Sequence, residues 1–318
     1  MRFALSPEQR QFSASLHDLL AGADTRAAAR AWAQGRHEPG LKLWRDLHDL
    51  GIGALLVPEE HGGVGADAAD AVVAFEALGY HAVPGPLVES VAVAPALPVG
   101  DRLPALAAGE LIVTVALPPE VPRALDADVA GLVLRVRDGL VERVEPGEPT
   151  RSLDPARRLF TVDGPGETLG ECGAGPFETG VLAVSAQLLG AGRRLLELAT
   201  EYAKHRHQYG RPIGSYQAVK HLLADVATQL ELARPLVYGA AVAVQERTDV
   251  IRDTSAAKVA AGRAAHLAAR TALQVHGAVG YTAEHDLGLW LMKVRALVAA
   301  WGGAAFHRAR VLAALGGI

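Results

Sequence analysis

The sequence predicts a mainly α-helical protein with one small β domain set between a helical N-terminal part and a helical bundle. Three observations predict it. Apolar residues recur at helical spacing through most of the first 80 residues. From Phe177 onward long amphipathic patterns follow one another with short links, as in an antiparallel bundle. Between them, residues 84–175 hold much of the proline and carry short runs of β type. The division that follows is an N-terminal helical domain over 1–95, a reduced β domain over 96–175 and a C-terminal bundle over 176–318.

The first helix opens at Ser6-Pro7-Glu8-Gln9. Ser6 can cap, Pro7 suits the first helical position, and Gln9 completes a capping box. Leu16, Leu19 and Leu20 then share one face. A second helix is predicted over 39–50, with Leu41, Leu43, Trp44, Leu47 and Leu50 at helical spacing and Gly51 ending it. Residues 55–65 read as a loop from their proline and glycine content. The adjacent Glu59 and Glu60 are solvated carboxylates on this reading, because no other chemical group converges on them. A third helix is predicted over 68–79.

In the middle domain, residues 111–117 read as a strand closed by Pro118-Pro119. Residues 132–136 and 140–144 flank Arg137-Asp138-Gly139, a hairpin turn signal, and 158–162 form a further strand. Bundle helices are expected over 178–206, 216–246, 253–276, 284–300 and 303–315. Ser215 would cap the second of these, Thr254 or Ser255 the third, and Glu284 and Asp286 the fourth.

The totals narrow the function. Half the residues are hydrophobic, so 318 residues can bury a sizeable core, but only 5% are aromatic, so Ala, Leu and Val must do most of the packing. A formal net charge of −4 is close to neutral for this length and argues against general nucleic-acid binding. The single cysteine, Cys172, excludes an intrachain disulfide framework and a cysteine-based metal cluster. His276 and His285 have no identifiable partners for a metal, so no metal site is expected. No apolar run of membrane-spanning length is free of charge, and the N-terminus lacks a signal-type apolar run. A cytoplasmic location is the expectation.

One stretch organises the rest. Residues 206–217 form a basic, aromatic, glycine-punctuated corner between two long helical patterns. Lys204, Arg206, Arg211 and Lys220 crowd it with His205, His207 and His221, a density of cationic donors beside a new helix that suits a phosphate group. The plainer reading is a solvated link with scattered surface charge. The spacing from Arg206 through Tyr209, Gly210 and Ile213 to Gln217 resembles the acyl-CoA dehydrogenase family. A second stretch, Gln274-Val275-His276-Gly277-Ala278-Val279-Gly280-Tyr281, resembles that family's glycine-rich loop along the same cofactor. The resemblance covers nearly the whole chain and is weakest in the middle.

The resemblance implies the family's fold: an N-terminal helical domain, a reduced middle β domain and a C-terminal four-helix bundle. It implies FAD as cofactor, with Arg206, Tyr209 and Gln217 reaching across a subunit interface. Gln274, His276, Gly277 and Gly280 are implied along the same FAD. Family members desaturate acyl-CoA thioesters and pass the electrons to an acceptor. The proton beside the thioester needs a carboxylate base in a dry site. In the family that base stands in one of two places. One aligns here with Ala300-Trp301-Gly302-Gly303, which holds no carboxylate. The other lies near Gly180-Val181, two residues from Glu178, the one catalytic candidate; its plainer role is a carboxylate favoured by the helix dipole. The polar segment and tryptophan strand that wall the flavin in relatives have no counterpart in the β domain: the equivalent of the first could only be residues 113–119, which lack the polar residues, and no Trp occurs between Trp44 and Trp290.

Three functions follow. The chain could be one subunit of a heteromeric acyl-CoA dehydrogenase, lending its arm to FAD held mainly by a second acyl-CoA dehydrogenase subunit that supplies the base. It could be an active homomeric dehydrogenase with Glu178 or a displaced base. It could be a scaffold without flavin.

Overall fold

The structure is a computed structural model describing residues 4–282 and 285–316. Its N-terminal helices are α1 (Pro7–Gly22), α2 (Thr25–Ala33), α3 (Glu38–Asp49) and α4 (Ala68–Tyr80). The Ser6 capping box forms as expected: Ser6 Oγ accepts from the Gln9 amide at 3.1 Å, and Gln9 Oε1 accepts from the Ser6 amide at 3.1 Å. Helix α2 was not foreseen. Its sequence, TRAAARAWA, is mostly alanine, and alanine marks a buried face only weakly, yet Ala28, Ala29, Ala31 and Trp32 are buried.

Beyond α4 the chain enters a π-helical segment, Val88–Val93, all of it buried. A π-helix is rare and often marks a functional position. The short helix α5 (Leu103–Ala107) leads into the β domain. There a four-stranded sheet has the order β1 (Val113–Ala116), β3 (Leu132–Arg137), β4 (Leu140–Val144), β7 (Gly166–Glu171). Strands β1 and β3 run parallel, while β3–β4 and β4–β7 are antiparallel. The expected hairpin is present: Asp138 and Gly139 at its turn have φ +53° and +81°. A second sheet pairs β2 (Ala124–Leu125), β6 (Leu159–Phe160) and β5 (Pro149–Thr150), so the strand predicted over 158–162 shrinks to two residues. Strand β7 was not foreseen; it is a sheet edge rich in glycine, where Gly166 lies against Glu142 and Val144.

Helix α6 (Gly175–His205) is the spine. Around it stand α7 (Gln217–Glu246), α8 (Val250–His276) and α9 (Leu287–Ala299), with α10 (Ala304–Leu315) laid on α8. Helix α4 also packs directly on α6, so the N-terminal helices and the bundle share one hydrophobic core. Of the described residues, no single helix is long and apolar enough to cross a membrane.

Three capping expectations fail. Ser215 lies in a 3-10 turn, Ile213–Ser215, and its hydroxyl donates to the Pro212 carbonyl; α7 starts after Tyr216 without a side-chain cap. Thr254 and Ser255 are not at a helix end. Helix α8 begins earlier, and both side chains are fully buried in its interior, spent on tertiary hydrogen bonds. Asp286 precedes α9 but pairs with Arg26 (2.9 Å) and Arg30 of α2, while His285 Nδ1 accepts from the Leu287 amide. Glu284 lies outside the described residues.

Candidate functional site

The residues expected at the cofactor come out on two neighbouring edges of the bundle. Arg206 follows the last residue of α6 and turns the chain into an extended conformation. A short hairpin not foreseen in the sequence follows, with β8 (His207–Gln208) paired to β9 (Arg211–Pro212). Tyr209 and Gly210 at its tip have φ +52° and +79°, the pattern of a type I′ turn. Tyr209 is therefore thrust outward and is 94% exposed. Arg206, Arg211 and Gln217 are exposed as well, with Gln217 opening α7. The Arg211 guanidinium lies 4.0 Å over the Tyr216 ring, and Tyr216 donates to the Gln208 carbonyl, which stiffens the hairpin. Lys204 pairs with Glu201; Arg206 and Arg211 have no ion pair among the described residues. The corner is thus a rigid projection carrying uncompensated positive charge.

The second stretch ends α8. Gln274 is exposed. His276 is buried and stacked on Tyr202 of α6 at 4.3 Å between ring centroids, and its Nδ1–H donates to the Ala272 carbonyl. Burial pushes its pKa below the ordinary histidine value. Gly277 has φ +60° and ψ −140°, a backbone only glycine holds without strain. A β-carbon at Gly280 would press at 3.1 Å on His276, Leu273 and Leu287. The Tyr202–His276 stack therefore ties the glycine-rich turn, Gly277–Tyr281, to the helix that leads into Arg206.

The base positions of the resemblance lie on the other end of α6. Glu178 is in its first turn but is buried, not poised in open space. Arg310 of α10 binds it in an ion pair, and Thr254 donates to it at 2.6 Å. The Arg310 guanidinium also donates to Ser255 Oγ at 3.1 Å and lies 5.3 Å from the ring centroids of both Phe177 and Phe306. Trp301 is 1% exposed, and its ring lies against Gly180: a β-carbon there would be 2.2 Å from it. The two places where the family carries its base are thus in contact, and an indole on a glycine fills the space between them.

The Trp301 loop is pinned. The Lys258 ammonium donates to the carbonyls of Leu297, Val298 and Gly302 at 3.1–3.2 Å, closing the C-terminal end of α9. Burial lowers its pKa to about 7. His307 Nε2–H donates to the Trp301 carbonyl at 2.8 Å, and its Nδ1 accepts from Ser255 at 3.1 Å. This gives His307, unassigned in the sequence, a positioning role. Burial, then the positive charges of Lys258 and Arg310, drop its pKa to about 4. The unfolded chain takes up the proton near pH 6.5 and the folded one only near 4, so stability is lost as pH falls through that window. The cost is at most about 3 kcal/mol for this group. Acid melts of wild type and His307→Gln should show a shallower decline in the variant; equal slopes would count against this assignment.

Glu89 escaped sequence reading, although a lone acid in the apolar run Val88–Ala94 was a usable signal. It is buried in the π-helical segment beside the Trp301 indole, one carboxyl oxygen has no partner, and burial raises its pKa.

A flavin ring needs a flat wall and donors at its polar edge. The single aromatic side chain in residues 96–175 is Phe160, and it sits in the β domain's own core with Ala116, Val133 and Val144. The β domain therefore offers the ring no aromatic wall of its own. Arg206, Tyr209 and Gln217 stand exposed at the edge of the bundle.

Comparison with known proteins agrees with this architecture. The family model for the acyl-CoA dehydrogenase N-terminal domain matches residues 6–99, and that for the C-terminal domain matches residues 175–316. The chain belongs to the acyl-CoA dehydrogenase family. It is similar to acyl-CoA dehydrogenase IpdE2 of Mycobacterium tuberculosis, at 35% identity over 300 residues, covering 90% of this chain and 91% of the relative. Its fold is that of butyryl-CoA dehydrogenase from Megasphaera elsdenii, with TM-score 0.85 and 22% identity over 99% of this chain and 100% of the other. The ChsE4–ChsE5 complex from Mycobacterium tuberculosis contains a chain of the same fold, with TM-score 0.83 and 23% identity over the full length of both.

Proposed function

We propose that this chain is the subunit of a heteromeric acyl-CoA dehydrogenase that does not bear the base, and that it contributes to the FAD site of a partner subunit. The observation that carries this reading is the Trp301–Gly180 contact: indole packing occupies the place where the family holds its carboxylate. Glu178 is committed to Arg310 and Thr254, a structural role for a carboxylate that would otherwise be the candidate base. The reaction is α,β-desaturation of an acyl-CoA thioester, for which FAD, when bound, supplies the hydride acceptor. The electrons then pass to an electron-transfer acceptor.

This chain's residues bind and orient. Arg206 offers a planar, always-charged fork to a diphosphate, Tyr209 a flat face to a ring, and Gln217 an amide at a helix start. Gln274, His276, Gly277 and Gly280 make the neighbouring edge, with His276 holding the turn and the glycines allowing close backbone approach. The fold of one chain of the ChsE4–ChsE5 complex supports an assembly of two unlike subunits.

The test is Arg206→Ala in the assembled protein. Losing a charge-assisted contact worth roughly 1.5–3 kcal/mol should weaken FAD retention about 10–100-fold, with the melting temperature of this chain alone unchanged. FAD retention equal to wild type would remove Arg206 from the site. Glu178→Gln, in contrast, should leave the turnover of the folded assembly within about twofold, since a base lost would cost at least 10²-fold.

A further inference from the structure

We propose that the groove along the outer face of α7 and α8 is where the unlike subunit docks, a step that rests on the heteromeric reading above. The groove takes an acidic bundle face and rejects a second copy of this chain. At its basic end Arg263, His266 and Arg270 of α8 stand with Asp225 and Thr228 of α7. At its apolar end Leu232 and Leu236 of α7 meet Val259 and Ala260 of α8, beside Arg308 and Val311 of α10. Gln229 and Arg263 line both ends, so the groove is continuous. Leu232 is 60% exposed, and Leu236 is exposed as well. On α10, Arg308, Val311, Leu312 and Leu315 recur at helical spacing, and both leucines are exposed, so an apolar stripe follows the arginine.

Charge decides the occupant. Arg263, Arg270 and Arg308 are exposed, and Asp225 is the single acid in the lining. Among the described residues none of these three arginines is in an ion pair; the pairs of α8 and α10 use Arg252 and Arg310. A second copy related by a two-fold axis would set this patch against itself. The same three guanidiniums would then face each other, and like charges juxtaposed at an interface suppress the wrong partner. A bundle face with carboxylates around an apolar ridge pairs the guanidiniums and covers the leucines together. The position of the groove suits that occupant. Its basic end lies on the helices that start at Gln217 and end at His276, the two edges expected at the cofactor. From Gln217 to Leu236 the face runs about 28 Å, and two helices make it about 20 Å wide. That is roughly 560 Å², which the Arg206 corner and α10 bring toward the ~800 Å² per partner of a stable complex.

The experiment follows assembly by sedimentation velocity, for the chain alone and co-expressed with a longer acyl-CoA dehydrogenase homologue. The chain alone should stay monomeric at concentrations where the complex is fully formed. Arg263→Glu with Arg270→Glu and Arg308→Glu, all at exposed positions, should keep the melting temperature of the chain and weaken the complex at least about 100-fold. Leu232→Ser with Leu236→Ser should weaken it about 10-fold or more. A complex insensitive to both sets of substitutions would overturn the groove and leave the heteromer standing. A dimer of the chain alone that the two serine substitutions dissolve would make a second copy the occupant and overturn the selection by charge. No complex at all would overturn the heteromeric reading and this surface with it. A groove-dependent complex without flavin would uphold the surface and remove the FAD role.

Discussion

Gly190→Val is expected to destroy the native packing of this chain. Helices α4 and α6 cross with their backbones in contact. A β-carbon at Gly190 would stand 1.8 Å from the Glu76 carbonyl oxygen and 2.7 Å from the Tyr80 nitrogen. From the other side, a β-carbon at Gly79 would stand 2.1 Å from the Gln187 carbonyl oxygen. Backbone cannot rotate away as a side chain can, so the helices must separate. Separation would break the Arg193–Glu76 ion pair and the Tyr238–Glu76 hydrogen bond that bind the N-terminal helices to the bundle. Overpacking commonly costs 1–3 kcal/mol, and a clash with backbone exceeds that range. Even Gly190→Ala should lower the melting temperature by roughly 10 °C at about 3 kcal/mol. A variant melting within a degree of wild type would contradict the close crossing.

Arg310→Met carries the second large effect. It strands the Glu178 carboxylate, 4% exposed as a side chain, with Thr254 as its remaining partner. Breaking one half of a buried pair costs about 3–5 kcal/mol. The double variant Glu178→Gln with Arg310→Met removes both charges and should recover more than half of that loss, because the penalty lies mainly in the unpaired charge. Chemical denaturation of wild type, both singles and the double closes the cycle. A single Arg310→Met as stable as wild type would mean that Glu178 is not held as described, and would restore it as a candidate base.

Much of the architecture was legible because it rests on local pattern. Apolar residues at helical spacing placed α3, α4 and the bundle helices within a few residues, and the Asp138-Gly139 turn placed the central hairpin. What escaped depended on tertiary context. Alanine-rich α2 hides its buried face. Thr254 and Ser255 look like caps because their hydroxyls compete with helix hydrogen bonding. In the folded chain those hydroxyls serve Glu178 and His307, groups distant in sequence. The Tyr209-Gly210 turn was masked by Pro212, which suggested a simple helix stop rather than a two-stranded tip.

The candidate site divides the same way. The arm from Arg206 to Gln217 is a contiguous motif and could be quoted from the sequence. The lack of a carboxylate at Ala300-Trp301 was also visible there. That Trp301 seats on Gly180 was not, because contact between residues on different helices needs the fold.

The central claim is that this chain serves flavin held by another subunit. The visible absorbance of the purified chain, alone and co-expressed with a longer acyl-CoA dehydrogenase homologue, tests it most directly. The account predicts a colourless chain alone and a yellow complex with bound FAD. Stoichiometric flavin in the chain alone would contradict it, because the cofactor would then be held without a neighbouring subunit.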